Sequence, residues 1–172
     1  DRDQLEAARE GLGPDGVLLV DVGQIFVEDV ERAAERLPAL EATGATWLEE
    51  PFAGSAFEAY AALAARSGTP LAGGEAAHNV AMARHLMDFG KIGYVQIDTG
   101  RIGGIGPAKE VADLAVARGV KFVNHTFTSH LALSASLQPY AGLADHEICE
   151  YPAEPKPVAT AFVASPLTRG AD

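Results

Sequence analysis

Three carboxylates end three successive apolar runs. Val17–Val20 stops at Asp21, Ala45–Leu48 at Glu49, and Leu71–Gly74 at Glu75. A short apolar run bounded by turn residues reads as a buried strand, so each acid sits at the exposed end of one. Neighbouring strands lie about 4.8 Å apart, close enough for three such acids to converge on one ion. An all-oxygen, acid-rich set suits a hard divalent cation, most simply Mg2+. Any one of these acids also reads as a solvated loop acid or a helix cap; three in step favour the metal. The next two runs, Tyr94–Ile97 and Val120–Asn124, end at Asp98 and His125. A carboxylate within hydrogen-bond reach of a histidine fixes its tautomer and raises its pKa, which makes a general base poised near neutrality. Glu150 closes the last run, Glu147–Cys149, where it can hold a substrate oxygen or donate a proton. Glu50 follows Glu49 directly but points to the opposite strand face, while Glu49 shares its face with Trp47. His78, three residues past Glu75, can reach the same region. His85, His130 and His146 read as helix or loop histidines.

Six polar strand ends recur at intervals of 23 to 28 residues, an internal repeat. Helical patterns fill the gaps. Residues 2–10 read as the end of a helix. Val27, Val30, Ala34, Leu37 and Leu40 repeat at helical spacing with a kink at Pro38. Ser55 can cap the next helix, whose apolar face is Phe57, Tyr60, Ala61 and Ala64 and which Gly68 and Pro70 end. Further helices are expected from Asn79 to Phe89, Pro107 to Arg118 and Ser129 to Tyr140. Strict alternation of strand and helix implies parallel strands with right-handed crossovers. An open doubly wound sheet gathers its ligand groups at one switch point, whereas a closed barrel carries them at the carboxyl end of every strand. The repeat therefore points to an α/β fold of the (β/α)8 TIM type, seen here as a partial barrel of strands three to eight. The expected organisation is a partial barrel over 1–151 and a Pro-rich tail over 152–172, with four prolines from Pro152 to Pro166. A chain that opens in mid-helix suggests that a preceding part is missing.

At 172 residues with 48% hydrophobic content, the chain can bury a sizeable core. Its net charge of −11 and pI of about 4.8 argue against nucleic acid or an anionic membrane as partner. One cysteine, Cys149, excludes a disulfide framework and suits a reducing cytosol. No stretch approaches a membrane span, so a cytoplasmic location is expected.

Taken in order, Asp21 with Gln24, Trp47-Leu48-Glu49-Glu50-Pro51, Gly73-Gly74-Glu75, Asp98 with Ile102-Gly103-Gly104, and His125 resemble the barrel domain of the enolase superfamily, most closely its mandelate racemase subgroup. The resemblance covers about residues 15 to 151. It implies that Asp21, Glu49 and Glu75 bind Mg2+, that the His125–Asp98 dyad moves a proton next to a substrate carboxylate, and that Glu150 hydrogen-bonds the enediolate oxygen. Gly23, Glu50, Arg101 and His78 become candidate substrate contacts. Gly23 stands where the family often has Asn, and Arg101 where Lys is usual. The resemblance further implies a sugar-acid substrate, an acid-sugar dehydratase activity and a homo-oligomeric full-length enzyme. Its capping domain and first two strands have no counterpart in this sequence. The alternatives are a racemase, epimerase or cycloisomerase of the same superfamily, or a truncated barrel without catalysis.

Overall fold

The computed structural model describes residues 2–144, 148–154 and 156–170. Five strands form one parallel sheet in sequential order: β1 (Leu19–Asp21), β2 (Trp47–Glu49), β3 (Leu71–Gly73), β4 (Tyr94–Asp98) and β5 (Lys121–His125). Between them run α1 (Arg2–Leu12) ahead of β1, then α2 (Val30–Ala34), α3 (Leu37–Ala42), α4 (Phe57–Ala64), α5 (Val80–Asp88) and α6 (Ile105–Arg118). After β5 come α7 (His130–Leu137), a 3-10 turn (Gln138–Tyr140) and α8 (Pro157–Ala161). The order is that of a partial barrel.

The two sheet faces separate by alternation. Leu48, Leu71, Val95, Ile97 and Phe122 pack with the helices in the main core, all nearly or fully buried. Each such side chain contributes about 1.5–3 kcal/mol by leaving water. Trp47, Ala72 and Val123 face the other way, in a small cluster with Tyr94 and Ile148. That second face, the inner face of the barrel wall, also carries Glu49, Gln96, Asp98 and His125.

The structure corrects three local expectations. Residues 27–40 form not one kinked helix but two, α2 and α3. Pro38 sits in the first turn of α3, and its ring excludes the carbonyl of residue 34 from a helix; α2 ends at Ala34. Ser55 does not cap α4: the cap is Ala56, with no side-chain hydrogen bond. No strand forms over 148–150, for a reason given below; Glu147 and His146 lie outside the described residues. Within the Pro-rich tail Pro157 opens α8, and Tyr151 donates to the Leu167 carbonyl at 2.9 Å. Asn79 and Ser129 do cap α5 and α7, accepting from the Met82 and Ala132 N–H groups.

Packing beneath the acids is tight at Gly73 and leaves no room for a side chain at Gly74. The Tyr60 hydroxyl, donating to the Phe52 carbonyl at 3.1 Å, stands 3.1 Å from where a Gly73 Cβ would lie. At Gly74, φ is +123° and a Cβ would fall 2.8 Å from the Gln96 carbonyl oxygen. Gly74→Ala is therefore expected to destabilise the protein by about 2–4 kcal/mol, because it combines backbone strain with a clash against a fixed strand. Chemical denaturation measures this; an unchanged midpoint would contradict the packing described.

Candidate functional site

Asp98 and His125 are cross-strand partners at the ends of β4 and β5. The register brings His125 Nδ1 to 2.9 Å from Asp98 Oδ2. The other Asp98 oxygen accepts the backbone N–H groups of Gly100 (2.8 Å) and Arg101 (3.0 Å), so the carboxylate cannot turn away. His125 Nε2 does not stand free. It lies 3.1 Å from Glu75 Oε2, and Arg101 donates to Glu75 Oε1 at 2.7 Å. His125 is 4% exposed. Burial disfavours its charged form, but hydrogen bonds to Glu75 and Asp98 outweigh burial and push its pKa up to about 9. The hydrogen bond from His125, followed by that from Arg101, outweighs burial at Glu75 and holds it at about 2.

Asp21 and Glu49 are also cross-strand partners, on β1 and β2. Asp21 accepts the Gly23 N–H at 2.8 Å, and Glu49 accepts the Trp47 indole N–H at 3.0 Å. Burial raises the Glu49 pKa to about 7, against the Gln96 amide and the indole, with Asp21 and Glu150 adding repulsion. Glu50 is 5% exposed; Gln24 donates to one of its oxygens at 2.9 Å and the other has no partner. Burial raises its pKa as well.

Glu150 reaches the site without a strand. The Asn124 side chain bonds both sides of its backbone, accepting the Glu150 N–H at 2.8 Å and donating to the Glu150 carbonyl at 3.1 Å. One carboxamide thus replaces the ladder that a sixth strand would make. Ser136 accepts from the same amide at 3.0 Å, and the Tyr140 hydroxyl donates to Asn124 Oδ1 at 2.9 Å. The Glu150 carboxylate accepts the Thr126 N–H at 2.6 Å. Burial raises its pKa despite that bond.

Three groups thus meet around His125: Asp98, Glu75 and, through the latter, Arg101. Asp21 and Glu49 stand together beside them, but Glu75 is turned to His125 and Arg101 rather than to this pair. Among the described residues no three His, Cys, Asp or Glu side chains stand together as a metal ligand set. Gly23 and His78 are exposed, and no hydrogen bond joins His78 to the acids among the described residues. Asn124, Gln96 and Tyr140 were not singled out from the sequence, and Gln24 only as part of the motif that follows Asp21. Only the order Gly-Val-Lys-Phe-Val-Asn-His, with a polar residue one step before His125, hinted at Asn124. A separate groove of about 740 Å3 between α1, β1 and the α2–α3 turn touches this cluster only at Asp21.

The donor chemistry fits a hard divalent cation. The oxygen-only trio lies on adjacent strands, Glu49 is held against its own charge, and a Glu50 oxygen is buried without a partner. Positive charge is what the Asp21–Glu49 side lacks, whereas His125 and Arg101 supply it at Glu75.

A family model described as "Enolase C-terminal domain-like" matches residues 1–170. A crystal structure of a predicted mandelate racemase from Rhodobacter sphaeroides is 64% identical with a TM-score of 0.94, covering 99% of this chain and 44% of that one. The L-talarate/galactarate dehydratase of Salmonella typhimurium, solved with Mg and L-lyxarohydroxamate, is 36% identical at TM-score 0.70, covering 79% of this chain and 34% of that one. The D-galactarolactone cycloisomerase of Agrobacterium fabrum is 29% identical over 88% of this chain and 39% of its own length. The chain spans less than half the length of each. Among the described residues no helix is long and apolar enough to cross a membrane.

Proposed function

The chain belongs to the enolase C-terminal domain-like family, and from that premise we propose that it is the barrel part of a Mg2+-dependent enzyme that removes the proton α to the carboxylate of a sugar acid, with loss of water as the outcome. The observation that carries this reading is the His125–Asp98 pair at 2.9 Å, held beside strand-end carboxylates on one sheet face. Asp21, Glu49 and Glu75 would hold the cation, which supplies positive charge where the substrate carboxylate becomes more electron-rich as the proton leaves. Glu75 would exchange His125 and Arg101 for it.

His125 Nε2 is the atom that takes the proton. Asp98 keeps Nδ1 protonated and so fixes the tautomer that leaves Nε2 basic. The same ring can then return its proton to a departing β-hydroxyl. Glu150, half-buried with its pKa raised by burial, would in its protonated form donate a hydrogen bond to the substrate oxygen that gains charge. Arg101, released from Glu75, offers a guanidinium to a second carboxylate or to hydroxyls. Gly23, Glu50 and His78 complete the proposed substrate contacts. A small carboxylate is thus the proposed partner, in a soluble, cytoplasmic homo-oligomer that binds neither nucleic acid nor membrane.

The likeness to a cycloisomerase favours a second outcome from the same proton abstraction. Both are tested by incubating the naturally encoded protein with galactarate, talarate and related diacids, plus Mg2+, in D2O. Dehydration yields a 2-keto acid; racemisation or epimerisation places deuterium at Cα without loss of water; cycloisomerisation gives a structural isomer that has lost no water and carries solvent deuterium. Absence of both product and α-exchange across a panel of sugar acids would sink the reading.

A further inference from the structure

We propose that Gln24 and Glu50 form a clamp whose role is to aim Asp21 and Glu49 at a divalent cation. The proposal rests on the metal reading above but concerns two residues outside the ligand trio. Among the described residues only four non-glycine residues have positive φ, and three lie in the loops after β1 and β2: Gln24 (63°), Val27 (56°) and Glu50 (42°). Side chains rarely tolerate this region, and such outliers persist only where the surroundings enforce them.

The surroundings here are a continued ladder between the two loops. Val22 N–H donates to the Glu49 carbonyl (3.2 Å), Gln24 N–H to the Glu50 carbonyl (2.6 Å), and Phe26 N–H to the Pro51 carbonyl (3.3 Å). The Gln24 side chain adds the 2.9 Å bond to the Glu50 carboxylate. Little of this favours stability. The Glu50 carboxyl is buried near Asp21 and Glu75, and one oxygen has no partner. A buried acceptor left unmatched is unfavourable, so the inter-loop bonds hold Glu50 where it is at a cost to stability. What the arrangement fixes is the direction of the chain on either side of it: Glu50 is adjacent to Glu49, and Gln24 follows the turn that caps Asp21 through Gly23 N–H. Residues that orient metal ligands without touching the metal act in this way.

The test uses Mn2+ as probe in the naturally encoded protein, with free Mn2+ read by electron paramagnetic resonance and Tm measured without metal. Gln24→Gly removes the clamp and relieves the left-handed strain. It is expected to raise the Mn2+ Kd by about 10-fold or more, with Tm unchanged or higher. Glu50→Ala is expected to weaken Mn2+ equally, whereas Glu50→Gln keeps an acceptor for Gln24 and stays within about 3-fold of wild type. The clamp is overturned if Gln24→Gly binds Mn2+ like wild type, or if affinity and Tm fall together as for any structural defect. It is also overturned if Glu50→Gln loses as much as Glu50→Ala, which would make the charge itself decisive. Wild type that binds no Mn2+ overturns the metal reading and the clamp together.

Discussion

Replacing His125 by asparagine is expected to lower turnover by about 10^3-fold while Mg2+ affinity is kept or tightened. The loss follows from removing the only ring that Asp98 orients; general acid–base catalysis contributes about 10^2–10^4-fold. The retained affinity follows from where Glu75 points. His125 Nε2 competes for it at 3.1 Å, and asparagine removes that competing cation. Steady-state turnover and Mg2+ titration of the same preparation check both halves. Turnover near wild type, or loss of the metal with the histidine, would remove His125 from the role of base.

Asn124→Leu is expected to cost about 3–4 kcal/mol, or roughly 10 °C in Tm. Leucine matches the volume but strands the N–H and carbonyl of Glu150, both held by the carboxamide. It also removes bonds to Ser136 and Tyr140 in a fully buried setting, where unpaired polar groups are most costly. Asn124→Asp keeps the acceptor but sets a buried carboxylate against the Glu150 carbonyl, so a loss at least as large is expected. Thermal unfolding measures the series. A leucine variant as stable as wild type would mean that the segment before Glu150 is held by something else.

Much of the framework was legible in the sequence because abrupt endings carry information. Apolar runs that stop at Asp21, Glu49, Asp98 and His125 correspond to the carboxyl ends of β1, β2, β4 and β5. The helix expected to end at Arg118 does so, with Gly119 closing it in a left-handed backbone. What stayed hidden depends on geometry that periodicity does not encode. Glu75 follows β3 by two residues, past Gly74 at φ +123°, so strand alternation no longer governs where its side chain goes. It turns to β5, not to the neighbouring acids. Asn124 read as an ordinary strand residue, because nothing in a one-dimensional pattern shows a carboxamide standing in for backbone. The run at Ile148–Cys149 has the composition of a strand, yet the Tyr140 hydroxyl takes the Ile148 carbonyl and the Asn124 side chain holds the Glu150 backbone. The contact between Gln24 and Glu50 was hidden for a similar cause: it joins two loops 26 residues apart.

The indole of Trp47 gives the chain an optical reporter at its own centre. It is the only tryptophan in the sequence, is 2% exposed, donates its N–H to Glu49 and lies 4.9 Å from the Tyr94 ring. Its emission is therefore that of a single dry site wired to one of the acids. Whatever draws the Glu49 carboxylate away, or changes its charge, alters the hydrogen bond on the excited chromophore itself. Occupancy of the acid cluster can be followed in this chain by light alone, without a label and without turnover.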